Sequence, residues 1–231
     1  MFKSILTSFA IVASSVALPL YAAPKDDVAA AAKKLADAEN YSWTSTTEGG
    51  FAASAEGKTQ KDGLTTLKST FGDNTIEIVL KGDKGALKTE EGWKSSTEVA
   101  DQQGPARFVG RMIQNFKSPA TQAKELAEKT TDLKKADDAW AGDLTEEGAK
   151  ALMAFGRRGG NNAAPTIANA KGTARFWTAP DGQLKKFQYN VKGTVTFNGE
   201  DRDVDRTTTI EIKDVGTTKV EVPAEAKAKL P

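Results

Sequence analysis

The chain has 231 residues, with 32 basic against 31 acidic side chains and neither histidine nor cysteine. The even charge balance excludes a global field that would draw a nucleic acid or another polyanion. Missing imidazoles and thiols remove the commonest general base, the thiolate nucleophile and the usual transition-metal ligands.

Residues 1–22 read as a secretory signal peptide: Lys3, an apolar core over 5–17, a break at Pro19 and a small-residue processing site ending at Ala22. Ser4, Thr7, Ser8, Ser14 and Ser15 dilute the core below what a retained membrane anchor needs. Residues 23–231 are then expected as a single domain in the periplasm or the medium. Losing Lys3 leaves 31 basic and 31 acidic residues. No cysteine is available for a disulfide staple or for lipid attachment at the processing site.

Residues 26–39 (DDVAAAAKKLADAE) predict an alanine-rich helix with its acids first, as the helix dipole favours. Val28, Ala31, Ala32, Leu35 and Ala38 share one stripe. Alternation then predicts strands at Tyr41, Trp43, Ser45 and Thr47, at Leu67, Ser69 and Phe71, and at Ile76, Ile78 and Leu80. A short strand is expected over 84–88, and a turn at 91–94 leads into another. From Pro105 to Phe116 the pattern changes to a helix with Phe108, Val109, Met112, Ile113 and Phe116 on one face. Ser118-Pro119 starts a second helix, with serine as cap and proline at the first position. After Trp140-Ala141-Gly142-Asp143-Leu144, Thr145 caps a third short helix running to Phe155 and burying Leu152 and Met153. Residues 157–164 (RRGGNNAA) read as a polar, glycine-rich loop.

Residues 172–231 predict a four-stranded antiparallel meander with one apolar and one wet face. From Phe187 the odd positions are Phe187, Tyr189, Val191, Gly193, Val195 and Phe197, and polar residues stand between them. A two-residue turn at Asn198-Gly199 pairs Val195 with Arg202, Val191 with Arg206, Tyr189 with Thr208 and Phe187 with Ile210. Upstream, a four-residue loop over 179–182 pairs Ala174 with Phe187 and Phe176 with Lys185. Downstream, a three-residue loop over 214–216 pairs Ile212 with Thr218 and Ile210 with Val220. All three turns put the apolar sets on one face, and a one-residue slip would break the agreement.

The chemistry these residues allow is narrow. No GxSxG elbow, phosphate-binding loop or dinucleotide fingerprint occurs, and nothing selects two acids for a carboxylate-pair hydrolase. Asp201, Asp203 and Asp205 have the spacing that opens a calcium loop. Position six is Arg206 and position twelve Ile212, so they read as the solvent face of a strand. Trp177 falls on the opposite face from Phe176, as a surface aromatic or a partner contact. Arg206 lands on the apolar face, where a guanidinium needs a carboxylate, an open rim or an anionic ligand group.

Several short motifs resemble the bacterial lipoprotein-carrier half-barrel superfamily, typified by LolA, LolB and the mycobacterial LppX-type lipid-binding proteins. They are Gly92-Trp93-Lys94, Trp140-Ala141-Gly142-Asp143-Leu144-Thr145, and Ala174-Arg175-Phe176-Trp177 leading through Asp181-Gly182. The closing Thr207-Thr208-Thr209-Ile210, Asp214-Val215-Gly216 and Val220-Glu221-Val222-Pro223 are similar too. The resemblance implies an α+β fold: a strongly curved antiparallel sheet, an incomplete barrel of about ten or eleven strands. An N-terminal helix and a central helical insert, about 104–156, would plug its concave face. It implies an apolar cavity for acyl chains, no catalytic residues and no cofactor. LolB and LppX are lipid-anchored, a feature this cysteine-free chain lacks.

Together these readings predict an exported, soluble, non-enzymatic protein that binds or carries a lipid or other hydrophobic ligand. The expected lining is Trp43, Phe71, Ile78, Phe108, Met112, Phe116, Phe176, Phe187, Tyr189, Val191, Arg206 and Ile210. The alternative is a cell-envelope structural or protein-interaction module with a closed core and an envelope protein as partner. No nucleic acid, metal or integral membrane span is expected.

Overall fold

The computed structural model describes residues 23–49, 52–100, 105–154, 165–197 and 199–230. The expected signal peptide, the loop over 157–164 and Asn198 lie outside them. After helix α1 (Pro24–Ala36) come six strands: β1 (Asn40–Glu48), β2 (Ala53–Gln60), β3 (Thr65–Phe71), β4 (Asn74–Lys81), β5 (Lys84–Thr89) and β6 (Gly92–Ser95). Helices α2 (Ser96–Ala100), α3 (Pro105–Gln114) and α4 (Pro119–Glu128) lead to β7 (Thr130–Ala136) and β8 (Ala139–Leu144). Helix α5 (Glu146–Met153), long strands β9 (Thr166–Thr178), β10 (Leu184–Phe197) and β11 (Glu200–Lys213), and the one-turn α6 (Ala224–Lys227) complete the chain.

All eleven strands form one antiparallel sheet in the order β6-β5-β4-β3-β2-β1-β11-β10-β9-β8-β7. The sheet is curved and does not close, so β6 and β7 are its edges. The α+β half-barrel class and the strand number are those expected. The central segment is not helical throughout: β7 and β8 extend the sheet there, in sequence with no long apolar alternation to announce them.

Two registers differ from expectation. Phe187 pairs with Phe176 and Tyr189 with Ala174, two residues from the predicted alignment, with an irregularity between Leu184 and Lys186. The loop is longer than four residues: the amide of Ala179 donates to the carbonyl of Gln183 at 2.8 Å. A two-residue shift preserves the facing of every side chain, so the apolar set stays together. The fourth strand of the meander does not form. Strand β1 takes the free edge of β11 instead, pairing Trp43 with Ile212, Ser45 with Ile210 and Thr47 with Thr208. The predicted partners Thr218 and Val220 lie outside any strand, because the chain turns off at Asp214. There Thr218 donates its amide to the Asp214 carbonyl at 3.1 Å, and Gly216 donates to Asn40 at 2.8 Å. The hairpin around 198–199 has the predicted register throughout, including Val191 opposite Arg206 and Tyr189 opposite Thr208.

The helices cover the concave face unevenly. Val28, Ala31, Ala32 and Leu35 of α1 and Ala120, Ala123, Leu126 and Ala127 of α4 are buried. Their small side chains let the two helices pack closely on each other, and α1 and α5 lie against β9 and β10, where the rings of Phe176 and Phe187 stack with centroids 6.5 Å apart. Ser118 caps α4 by accepting from the Thr121 amide at 3.3 Å, and Thr145 caps α5 by accepting from Gly148 at 3.0 Å. In α5 it is Met153 that is buried, while Leu152 is half-buried. On the convex face, Val79 and Ala86 pair in register and are buried where α6 packs on β5 and β6. Lys229, just past α6, reaches Glu98 at 2.8 Å.

Candidate functional site on the concave face

Alternation places the odd residues of β1, β2, β3 and β10 and the even residues of β4 and β11 on the concave face. Register then sorts these residues into rows across the sheet. One row runs from Phe176 through Phe187, Ile210 and Ser45 to Ala55, Ser69 and Ile76. The next runs from Ala174 through Tyr189, Thr208 and Thr47 to Ala53 and Phe71. At the β9–β10 end both rows are buried except for the half-buried Tyr189. At the β2–β4 end they are half-buried, except for Ser69.

Of the twelve residues expected to line a cavity, six are at most 5% exposed: Trp43, Ile78, Phe176, Phe187, Val191 and Ile210. They belong to one contiguous core, so in this structure they are packed side chains beneath the helices. Phe71, Met112, Phe116, Tyr189 and Arg206 are half-buried and reach the open part of the face. The side chain of Phe108 lies outside those described. Register sets Phe71 beside Ala53, and Ile76 in one row with Ser69 and Ala55; Ala53 and Ala55 are residues that alternation did not single out. Strand β2 (ASAEGKTQ) has no apolar run to flag it. Its small residues are informative only once its neighbours are known.

Trp43 marks the boundary between the covered and open parts. Its indole lies on the backbone of β2, where a Cβ at Gly57 would stand 2.2 Å from the Trp43 ring. The indole Nε1 donates to Thr59 Oγ1 at 3.1 Å, and Thr65 Oγ1 donates to the same oxygen at 3.1 Å. Phe116, just beyond α3, stacks on the other side with ring centroids 6.2 Å apart. Burial pushes the neighbouring Tyr41 phenol up from its ordinary value, against hydrogen bonds from Ser118 and Thr59. Trp43, Tyr41, Thr59 and Thr65 of this cluster are buried, while Phe116 is half-buried.

The polar end of the open part is built from Arg206, Thr208, Thr47 and Tyr189. Thr47 and Thr208 share a hydrogen bond at 3.2 Å between their hydroxyls. Arg206 donates from Nη2 to the carbonyl of Leu152 at 2.7 Å, in the last turn of α5. A cation at the C-terminal end of a helix meets its partial negative charge. Among the described residues no carboxylate pairs with Arg206, and its Nε is buried without a partner. Of the three environments open to this arginine, the structure supplies a helix carbonyl at the rim.

Other sequence features find local partners. Asp201, Asp203 and Asp205 face solvent and accept from Thr196, Thr194 and Asn190 across the hairpin, at 2.6, 2.9 and 2.9 Å. No group of side chains that could hold a metal ion occurs among the described residues. Trp177 stands on the convex face, donating from Nε1 to Asp138 at 3.0 Å, with Lys186 Nζ 4.0 Å above its ring. Arg202 is exposed and pairs with Glu200 at 3.2 Å. An open cleft of about 800 Å³ lies between α5 and the β9–β11 strands. Of its charged lining residues, Lys192 and Asp205 pair with each other at 2.9 Å and Glu146 pairs with Lys150, so it reads as ordinary polar surface.

No family model matches the chain, and no curated protein matches it. Among solved structures it is similar to LprF from Mycobacterium bovis, at 11% identity and a TM-score of 0.47, over 88% of this chain and 97% of that one. It is also similar to a DUF1329 family protein from Desulfovibrio piger, at 10% identity and a TM-score of 0.29, over 82% of this chain and 90% of that one.

Proposed function

We propose that residues 23–231 are an exported, non-enzymatic half-barrel that binds or carries a lipid or other hydrophobic ligand on the open part of its concave face. One observation carries this reading. Phe71 and Ile76 are half-buried beside the small residues Ala53, Ala55 and Ser69 with which they register, and Met112 and Phe116, the latter stacked on Trp43, are half-buried too. Large apolar side chains bordering small ones leave unfilled apolar surface, which a hydrophobic ligand covers at roughly 25 cal/mol per Å². The protein, purified from its own envelope and examined by native mass spectrometry, is expected to retain a co-purifying amphiphile. Release of no amphiphile, together with no uptake of an apolar fluorescent probe such as N-phenyl-1-naphthylamine, defeats the reading.

A second reading is favoured by the packed end of the same face. Among the described residues, thirty buried side chains form one core that includes six of the expected lining residues. A structural or protein-interaction module of the cell envelope needs no more than that. Export rests on residues 1–22, and no described helix is long and apolar enough to cross a membrane. Detection of the mature N-terminus after Ala22 or Ala23 in the periplasm or medium tests that part.

A further inference from the structure

We infer that Arg206, Thr208, Thr47 and Tyr189 form an anion site that takes the carboxylate or phosphate end of an amphiphile whose apolar part lies along β1–β4. This rests on the concave-face binding proposed above and specifies the ligand's class and orientation. The four residues sit on neighbouring rows. Tyr189 pairs with Thr208, Thr208 with Thr47, and Arg206 lies two residues before Thr208 on the same face of β11. All but Thr208 are half-buried, and Thr208 is 6% exposed.

Each of these groups can donate to an oxyanion, and none is fully used within the protein. The guanidinium has five N–H donors. Among the described residues a single hydrogen bond, to the Leu152 carbonyl, engages it. That carbonyl offsets part of a charge, and the buried Nε has no acceptor. The two threonine hydroxyls share one hydrogen bond, which leaves one hydrogen free to point elsewhere. A half-buried cation without a counter-ion favours an arriving anion, since Coulomb attraction strengthens as water is excluded.

The same rows continue from Thr47 to Ala53 and Phe71, and from Ser45 to Ala55 and Ile76. A ligand with its anion on Arg206 therefore lays its chain over the small-residue floor, towards Phe116 and Met112. A neutral lipid would leave the guanidinium as it is. An anion without a chain would leave the apolar floor exposed.

The test compares cis-parinaric acid with its methyl ester, which has the same chain without the charge, on the full mature protein by fluorescence titration. The acid is expected to bind about tenfold more tightly than the ester, as a charge-assisted hydrogen bond provides. Arg206→Met is expected to bring the acid down to the ester's affinity and leave the ester unchanged, while Arg206→Lys restores part of the difference. Equal binding of acid and ester by the unmutated protein overturns the anion site while the hydrophobic site stands. Binding of neither overturns both. That comparison needs no variant, so instability of Arg206→Met leaves it decisive, and Thr208→Val gives a milder second probe. Inorganic phosphate, measured by calorimetry, is expected to bind at least about a hundredfold more weakly than dodecyl phosphate. Equal affinity for the two assigns the site to a free anion and overturns the amphiphile.

Discussion

Across β9–β11 the concave face carries the buried Phe176, Phe187, Val191 and Ile210, whereas on β1–β3 it carries Ser45, Ala53, Ala55 and Ser69. Strand pairing and alternation are the same in both regions. Side-chain size and helix cover differ. Where large residues meet α1 and α5, the face is filled and Phe176 and Phe187 are fully buried. Where the inward residues are small, Phe71, Met112 and Phe116 remain half-exposed. Alternation thus identifies which residues face inward, and residue volume decides whether inward means core or open surface.

The contrast can be broken most forcefully from its packed side. Phe187→Ala removes a fully buried ring stacked on Phe176 and is expected to cost about 3–5 kcal/mol in urea unfolding. A cost below about 1 kcal/mol would mean that this region is no tighter than the other. Gly57→Val acts at the boundary, where its side chain collides with the buried Trp43 indole. It is expected to cost about 1–3 kcal/mol and to shift tryptophan emission to the red. On the open side, Ala55→Phe fills the small-residue floor. Stability is expected to change by less than about 1 kcal/mol, while affinity for an apolar fluorescent probe falls about tenfold. Destabilisation comparable with Phe187→Ala would show that Ala55 is core. The smallest effect lies away from the face, where Glu98 accepts from Lys229 and from the Ser95 amide. Lys229, first of the causes, draws its carboxyl down to about 2 from an ordinary value of 4.5. Its contribution is therefore present above about pH 4.5 and lost as pH falls towards 2. Hydrogen exchange near α6 is expected to quicken over that window, and Glu98→Gln is expected to remove the pH dependence.

Much of this arrangement is legible in the sequence because local rules dominate it. Ser118-Pro119 and Thr145 announce their helices through capping chemistry. The Asn198-Gly199 turn fixes a register that puts Arg206 and Thr208 on the apolar face. Non-local competition hides the rest. Nothing within residues 214–223 reveals that β1, at the other end of the chain, outcompetes them for the edge of β11. Strand β2 is invisible to alternation because its inward positions are Ala53, Ala55, Gly57 and Thr59. That choice leaves the concave face open, so the signal a strand search misses is the one that marks the candidate site. The carbonyl partner of Arg206 depends on where α5 crosses the sheet, which no local pattern encodes.

The pairing of β1 with β11 also has a kinetic consequence. Trp43 finds Ile212 only after nearly the whole chain has been made, so the seam joining the two parts of the sheet is the last strand pairing that synthesis permits. Closing so long a loop carries a large entropic cost before any contact compensates it, which places the domain among slow folders rich in distant contacts. Until β11 arrives, the first six strands keep an unpaired edge at β1.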